Sequence, residues 1–169
     1  MDRPLKTKVC LETFLNSLNI VVGPLGVETV VCPDASFMSR RAIKSKSYPE
    51  GTVEAKCQTW LQQYLLKNPS PFNVENFSPI DGLYSDFRLS VWRVVSQIPF
   101  GDVLSYGDIA RAVGQPLASR AVGTAVGQNP CFIFRPCHRV ITSGGKLGGF
   151  AFNLDIKRAL LAHEGVVLR

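Results

Sequence analysis

Apolar positions recur at helical spacing in two stretches near the middle of the chain. In 52–68, Val53, Cys57, Trp60, Leu61, Tyr64 and Leu65 share one face, Thr52 is placed to cap, and Glu54 suits the positive end of the helix dipole. This spacing makes Cys57 a core residue rather than a reactive one. In 85–97, Phe87, Val91, Val94 and Val95 form a second stripe that continues to Ile98, with Trp92 beside it, and Ile98-Pro99-Phe100-Gly101 stops the helix. Between the two, Asn68-Pro69-Ser70-Pro71 breaks the pattern, and the irregular run to Asp81-Gly82 predicts a boundary between two pieces.

Upstream, 18–32 reads as two β-branched apolar runs around Gly23-Pro24, the pattern of a hairpin. The polar, basic stretch 39–50 reads as a loop and has the composition of a localisation tract. Downstream, Ser105 is placed to cap a short helix with Asp108 three residues on, and Gly114 ends it. After Gln115-Pro116, residues Leu117 to Val126 read as a further helix rich in Ala, Val and Gly. Two short helices joined by a glycine-containing turn match a helix-turn-helix, a weak pattern alone. The second helix is thin along Ala118, Ala121, Gly123, Ala125 and Gly127 and carries one charge, Arg120. Cys131-Phe132-Ile133-Phe134 predicts a buried strand, broken by Pro136. A glycine-rich loop, 144–149, follows, then a last helix over 153–162 with Leu154, Ala159, Leu160 and Leu161 in the core and Gly165 as its stop. The expected fold is α+β, with an N-terminal α/β domain at 1–80 and a mainly helical C-terminal domain at 86–169.

Length and composition narrow the function classes. The chain has 169 residues, 46% hydrophobic and 19% charged, which excludes intrinsic disorder and allows one domain or two small ones. No apolar run reaches the length of a membrane span, and the N-terminus has no signal-peptide pattern; an intracellular protein is expected, in cytoplasm or nucleoid, or in a nucleus. The five cysteines, at 10, 32, 57, 131 and 137, are scattered and odd in number, unlike a disulfide framework. With two histidines, His138 and His163, and none near Cys10 and Cys32, no metal site and no cofactor is expected. The net charge of +6 is uneven, +1 over residues 1–85 and +5 over 86–169, and a basic half suits a polyanion such as nucleic acid.

The chemistry concentrates at Pro136-Cys137-His138-Arg139. A thiol reacts poorly at neutral pH unless a base or a positive charge helps it, and here an imidazole and a guanidinium follow directly. Pro136 puts the cysteine on a bend at a strand end. The alternative is a buried cysteine beside an accidental histidine, because neighbours on a strand point to opposite faces; the residues favour the reactive cysteine over it.

Pro136-Cys137-His138-Arg139-Val140 resembles the active-site signature of the O6-alkylguanine-DNA alkyltransferases, also called methylated-DNA–protein-cysteine methyltransferases. Ile98-Pro99-Phe100-Gly101, Ser105-Tyr106, Ser119-Arg120-Ala121-Val122-Gly123, Asn129-Pro130 and Leu160-Leu161-Ala162-His163-Glu164-Gly165 stand in the family's order and spacing, so the resemblance covers about residues 86–168. It implies a single-turnover DNA-repair protein that moves a methyl or alkyl group from O6 of guanine (O4 of thymine a second candidate) to Cys137. It implies a ribonuclease-H-like N-terminal piece and a winged-helix-like C-terminal one. The substrate would be double-stranded DNA, bound by a monomer with the damaged nucleotide flipped out of the stack. By the same resemblance His138 is the base acting through a water, Glu164 holds it, and Asn129 supports the thiol's surroundings. Tyr106, Arg120, Ala121, Gly123 and Ser105 would meet DNA, with Arg120 entering the stack and Tyr106 crowding the 3′ phosphate and donating to the base. Pro136, Arg139, Val140, Phe150, Ala151 and Phe152 would shape the pocket, backbone groups near Val140 reading the guanine edge.

Two departures stand out. Arg135 replaces an aliphatic residue before Pro-Cys; it either lowers the thiol's pKa or points to solvent. Phe150-Ala151-Phe152-Asn153 replaces Tyr-Ser-Gly-Gly, which removes a hydrogen bond and adds an aromatic wall. The competing readings are a non-catalytic lesion binder, a transcription regulator with the same helices, and a cysteine hydrolase. The alkyl-transfer reading expects the sulfur of Cys137 to be ionised in a pocket open to a flipped base.

Overall fold

The computed structural model describes residues 19–23, 26–31, 49–70, 72 and 84–168. The predicted hairpin is present as antiparallel β1 (Asn19–Gly23) and β2 (Gly26–Val31), with a register irregularity between Val21 and Val22. Helix α1 (Val53–Leu65) comes next and meets β1. Its cap is the expected one: Thr52 Oγ1 accepts from Ala55 N, a contact of the kind that contributes about 1 kcal/mol. Cys57, Trp60, Leu61 and Tyr64 are its buried face, and the indole of Trp60 donates to Ser70 O, tying the chain that leaves the helix back onto it. The basic stretch up to residue 48 and most of 71–83, together with Cys10 and Cys32, lie outside the described residues.

The second half is built on three helices in mutual contact: α2 (Asp86–Ser96), α3 (Tyr106–Ala112) and α4 (Ser119–Gly127). Ser105 and Asp108 form the reciprocal capping box at the start of α3, with Ser105 Oγ accepting from Asp108 N while Asp108 Oδ2 accepts from Ser105 N. The indole of Trp92 on α2 donates to Ala125 O at 2.7 Å, which fixes α4 against α2. Val122, Ala125 and Val126 are the buried side of α4; Arg120, Ala121, Thr124 and Gly127 face solvent. The helix begins two residues later than the pattern suggested, and Leu117 in the preceding turn is exposed.

A short parallel pair, β3 (Leu104–Ser105) with β4 (Val140–Ile141), joins the start of α3 to the segment after Cys137. Helix α5 (Leu154–His163), capped by Asn153, closes the chain over it. Among the described residues the architecture is mixed α+β, and no helix is long and apolar enough to cross a membrane. Two expectations fail. Leu154 is exposed, and the buried face of α5 is Ile156, Lys157, Leu160 and Leu161. Residues 131–134 are buried but form a turn, not a strand. Their backbone is satisfied without a strand partner: Arg135 N donates to Cys131 O, and Asn129 accepts from Cys131 N and donates to Arg135 O. Ile133 sits at φ 66°, a strained conformation for a β-branched residue.

Candidate active site

Cys137 opens a single 3₁₀ turn, Cys137–Arg139, between that strained turn and β4. It is not at a strand end as the sequence suggested. The reason is local: Cys137 N donates to Arg135 O at 2.7 Å and Arg139 N to Pro136 O, so Pro136 begins a helical turn. Cys137 is 5% exposed and reaches a cavity of about 310 Å³ lined by Tyr106, Gly123, Asn129, Phe150, Ala151 and Phe152, among others. The expectation of a resting thiolate is corrected. Burial pushes the thiol above its ordinary value, opposed by the Asn129 amide, by Lys157, and last by Arg135. The sulfur therefore rests as a thiol and must lose its proton to react.

The next residue in the chain, His138, carries an imidazole with one ring nitrogen engaged and the other free. His138 Nε2 lies 2.7 Å from Glu164 Oε1, and a carboxylate only accepts, so this nitrogen carries the hydrogen. The other ring nitrogen, Nδ1, is buried and has no hydrogen-bond partner, the sole side-chain atom of that kind among the described residues. Burial holds the His138 pKa below its ordinary value despite Glu164, so the ring is neutral and Nδ1 is a free base.

Glu164 is the hub of the arrangement. Besides His138 it takes Arg139 Nε at 2.8 Å, Arg139 Nη2 at 3.0 Å, Gly101 N at 3.1 Å and the Tyr64 hydroxyl at 2.7 Å. Burial alone would raise its pKa, but the contacts to His138 and Arg139 prevail and hold it at about 2. Gly101 has to be glycine here: its φ is 85° and a Cβ would stand 3.3 Å from Glu164 O. Tyr64, on α1, went unrecognised as a site residue because only its place on an apolar stripe is visible in the sequence.

Three residues expected in the pocket stand elsewhere. Arg139 is committed to Glu164 and to Ile98 O, and together with Pro136 it borders a separate apolar groove beside Trp60, Phe72 and Phe134. Val140 is fully buried, and its carbonyl accepts from Lys157 Nζ at 2.7 Å. Phe150, Ala151 and Phe152 do line the Cys137 cavity, and Phe132, Phe150 and Phe152 meet as a three-ring cluster with centroids 4.6–5.7 Å apart.

Lys157 is a second unrecognised residue. It is fully buried, and its ammonium donates to the carbonyls of Val140, Leu147 and Gly149, holding the glycine-rich loop against β4. Burial lowers its pKa to about 8, opposed by Cys137. Its position three and four residues before Leu160 and Leu161 puts it on the apolar face of α5, a signal the sequence does carry.

Tyr106 stands across the cavity mouth with its ring against Gly123, and its hydroxyl donates weakly to Gly149 O at 3.4 Å. Burial, and then Cys137, raise its pKa, so it stays a donor. A Cβ on Gly148, at φ 69°, would come within 3.1 Å of the Tyr106 ring and hydroxyl, so the loop closes on Tyr106 only with glycine there. Arg120 and Ala121 are exposed on α4, and with Tyr106, Gly123 and Thr142 Arg120 borders a shallow groove that adjoins the cavity. The Ser105 hydroxyl is engaged in the capping box. Among the described residues no cluster of His, Cys, Asp and Glu has metal-ligand geometry.

Comparison with known proteins gives the chain its relatives. Residues 86–166 match the family described as 6-O-methylguanine DNA methyltransferase, DNA binding domain. A methylated-DNA–protein-cysteine methyltransferase of Mycolicibacterium paratuberculosis is 37% identical over 151 residues, 85% of this chain and 89% of the relative. One from Methanosarcina acetivorans is 52% identical over 81 residues, 48% of this chain, so the match spans about half of that relative's length (52%). Among solved structures, Mycobacterium tuberculosis OGT in complex with DNA aligns with a TM-score of 0.69 at 32% identity, covering 88% of this chain and 86% of the other.

Proposed function

Since this chain belongs to the methylated-DNA–protein-cysteine methyltransferase family, we propose that it repairs duplex DNA by moving a methyl or other alkyl group from O6 of guanine to Cys137, once per molecule. The observation that carries the reading is a thiol, Cys137, lining a cavity of about 310 Å³ and followed in the chain by a buried His138 whose Nδ1 is free. The thiol proton passes, through a water, to Nδ1. The resulting imidazolium is held by Glu164 through Nε2. The sulfur forms its bond to the alkyl carbon as the carbon–O6 bond breaks. The electron pair leaves with the base, which takes a proton and regains the keto form of guanine. The thioether has no proton to give back and no good leaving group, so the protein is spent.

Tyr106, kept protonated, donates to the base as charge develops on it. The exposed small-residue face of α4 fits a minor groove, and Arg120 fills the space of the extruded nucleotide. The C-terminal piece acts as a winged-helix-like unit, and the hairpin with α1 belongs to a ribonuclease-H-like N-terminal domain. The setting is intracellular, where DNA and reduced thiols coexist.

Intact-mass measurement after incubation with an O6-methylguanine oligonucleotide tests the reading. One added methyl, mapped to Cys137 and absent from Cys137→Ser, is the expected result. Tight binding of the methylated duplex with no mass change assigns the chain to the lesion binders instead.

A further inference from the structure

Arg135 neither points to solvent nor merely fills the core. It is fully buried, with its guanidinium 4.9 Å from the centre of the Trp92 ring, Nε 3.3 Å from Ser96 Oγ and Nη1 3.3 Å from Asn129 Oδ1. Its carbonyl accepts from Asn129 Nδ2 at 2.8 Å and from Cys137 N at 2.7 Å. Arg135 thus holds Asn129 at both ends of its amide and holds the backbone of Cys137 directly.

The orientation of that amide matters for the sulfur. Cys131 N and Arg135 Nη1 are both donors, so the atom between them has to be the amide oxygen. The Nδ2 group then faces the other way, with one hydrogen on Arg135 O, and Asn129 lines the cavity beside Cys137. A cation bonded to the amide oxygen also polarises the amide and makes Nδ2 a stronger donor.

We propose that Arg135 is a positioning residue for the nucleophile: its buried guanidinium fixes and polarises Asn129, and this favours the thiolate of Cys137 over the thiol. Asn129 and the Arg135 charge both act on Cys137 in that direction. The other titratable or charged groups that act on the sulfur come from separate elements, Lys157 from α5 and Tyr106 from α3, while His138, the next residue in the chain, is bonded to Glu164. Arg135 is distinct among them in binding the backbone of the cysteine itself. The inference rests on Cys137 being the nucleophile, as proposed above.

The test is carboxamidomethylation of Cys137 by iodoacetamide, followed by peptide mass across pH in the full chain. It needs no DNA. Arg135→Gln, which keeps polar contacts but removes the charge, is expected to move the ionisation midpoint up by about one pH unit and to slow the reaction at pH 7 about tenfold. Arg135→Lys, which keeps the charge, is expected to restore most of that shift. Equal midpoints in wild type and Arg135→Gln overturn the proposal. So does an Arg135→Lys midpoint that matches Arg135→Gln, since the effect then owes nothing to charge. The wild type supplies a second measurement should Arg135→Gln not fold: the ¹⁵N resonance of Arg135 Nε is expected to shift with the thiol titration, and a flat response overturns the proposal. A shifted midpoint together with no methyl uptake from DNA leaves Arg135 in this role and removes the repair function.

Discussion

His138 and Glu164 meet at 2.7 Å through Nε2, and that one contact decides which nitrogen of the ring is the base. The carboxylate fixes the tautomer, so Nδ1 keeps its lone pair free. Glu164→Gln offers a neutral amide that can accept or donate, and the ring loses its fixed tautomer. Single-turnover methyl transfer is expected to slow by about 100-fold or more. A rate within about threefold of wild type, measured by rapid quench, would remove His138 and Glu164 from the chemistry.

The same carboxylate makes stability depend on pH. Its pKa in the fold, about 2, lies below its ordinary 4.5. A depressed acid group stabilises the fold fully above its ordinary value, and that contribution is lost as pH falls toward the folded value. The wild type is therefore expected to lose melting temperature between about pH 4.5 and 2 more steeply than Glu164→Gln, which lacks the titrating group. Thermal melts of both proteins across that window check this; parallel curves contradict it.

The aromatic cluster sets adduct size. Phe152 stands 4.6 Å from Phe132 and 5.6 Å from Phe150, and Ala151 offers no hydroxyl to O6. Methyl transfer is expected to be retained while benzyl transfer is slowed, and Phe152→Gly should recover benzyl transfer about tenfold by opening the wall. Inactivation rates with methylated DNA and with O6-benzylguanine, side by side, decide it; benzyl transfer equal to or faster than methyl in the wild type is the contrary result.

Arg120 is exposed and borders the groove that adjoins the cavity, not the cavity itself, so its loss should be felt only when a base has to leave a helix. Arg120→Ala is expected to slow methyl uptake from duplex DNA by about tenfold, with reaction at the free base O6-benzylguanine unchanged. Equal losses on both substrates would mean that the side chain supports the pocket instead.

Much of this was legible in the chain because it is local. The stripes of α1 and α2, the Thr52 cap, the Ser105–Asp108 box and the hairpin all follow from spacing and cap chemistry within a few residues. Cys137, His138 and Glu164 stand in motifs that the family resemblance picks out. The failures are matters of long-range placement. The apolar run 131–134 looked like a strand, but Asn129 closes its backbone into a turn, and one side-chain amide cannot be weighed against a missing strand partner from sequence. Arg139 looked like a pocket residue because it adjoins Cys137, yet its partner is 25 positions away. Lys157 was passed over because lysine reads as solvent-facing, although helical spacing puts it with Leu160 and Leu161.

The Tyr64 hydroxyl crosses 100 positions of sequence to reach Glu164, and the Tyr64 carbonyl takes the His163 ring at 2.9 Å. The stretch 86–166 that matches the family model thus takes a contact from outside itself in this protein. Cut loose at the connection after α1, it would keep its cysteine and its histidine but lose one donor to the acid that orients them. Through Tyr64 the forward half of the chain reaches the candidate site.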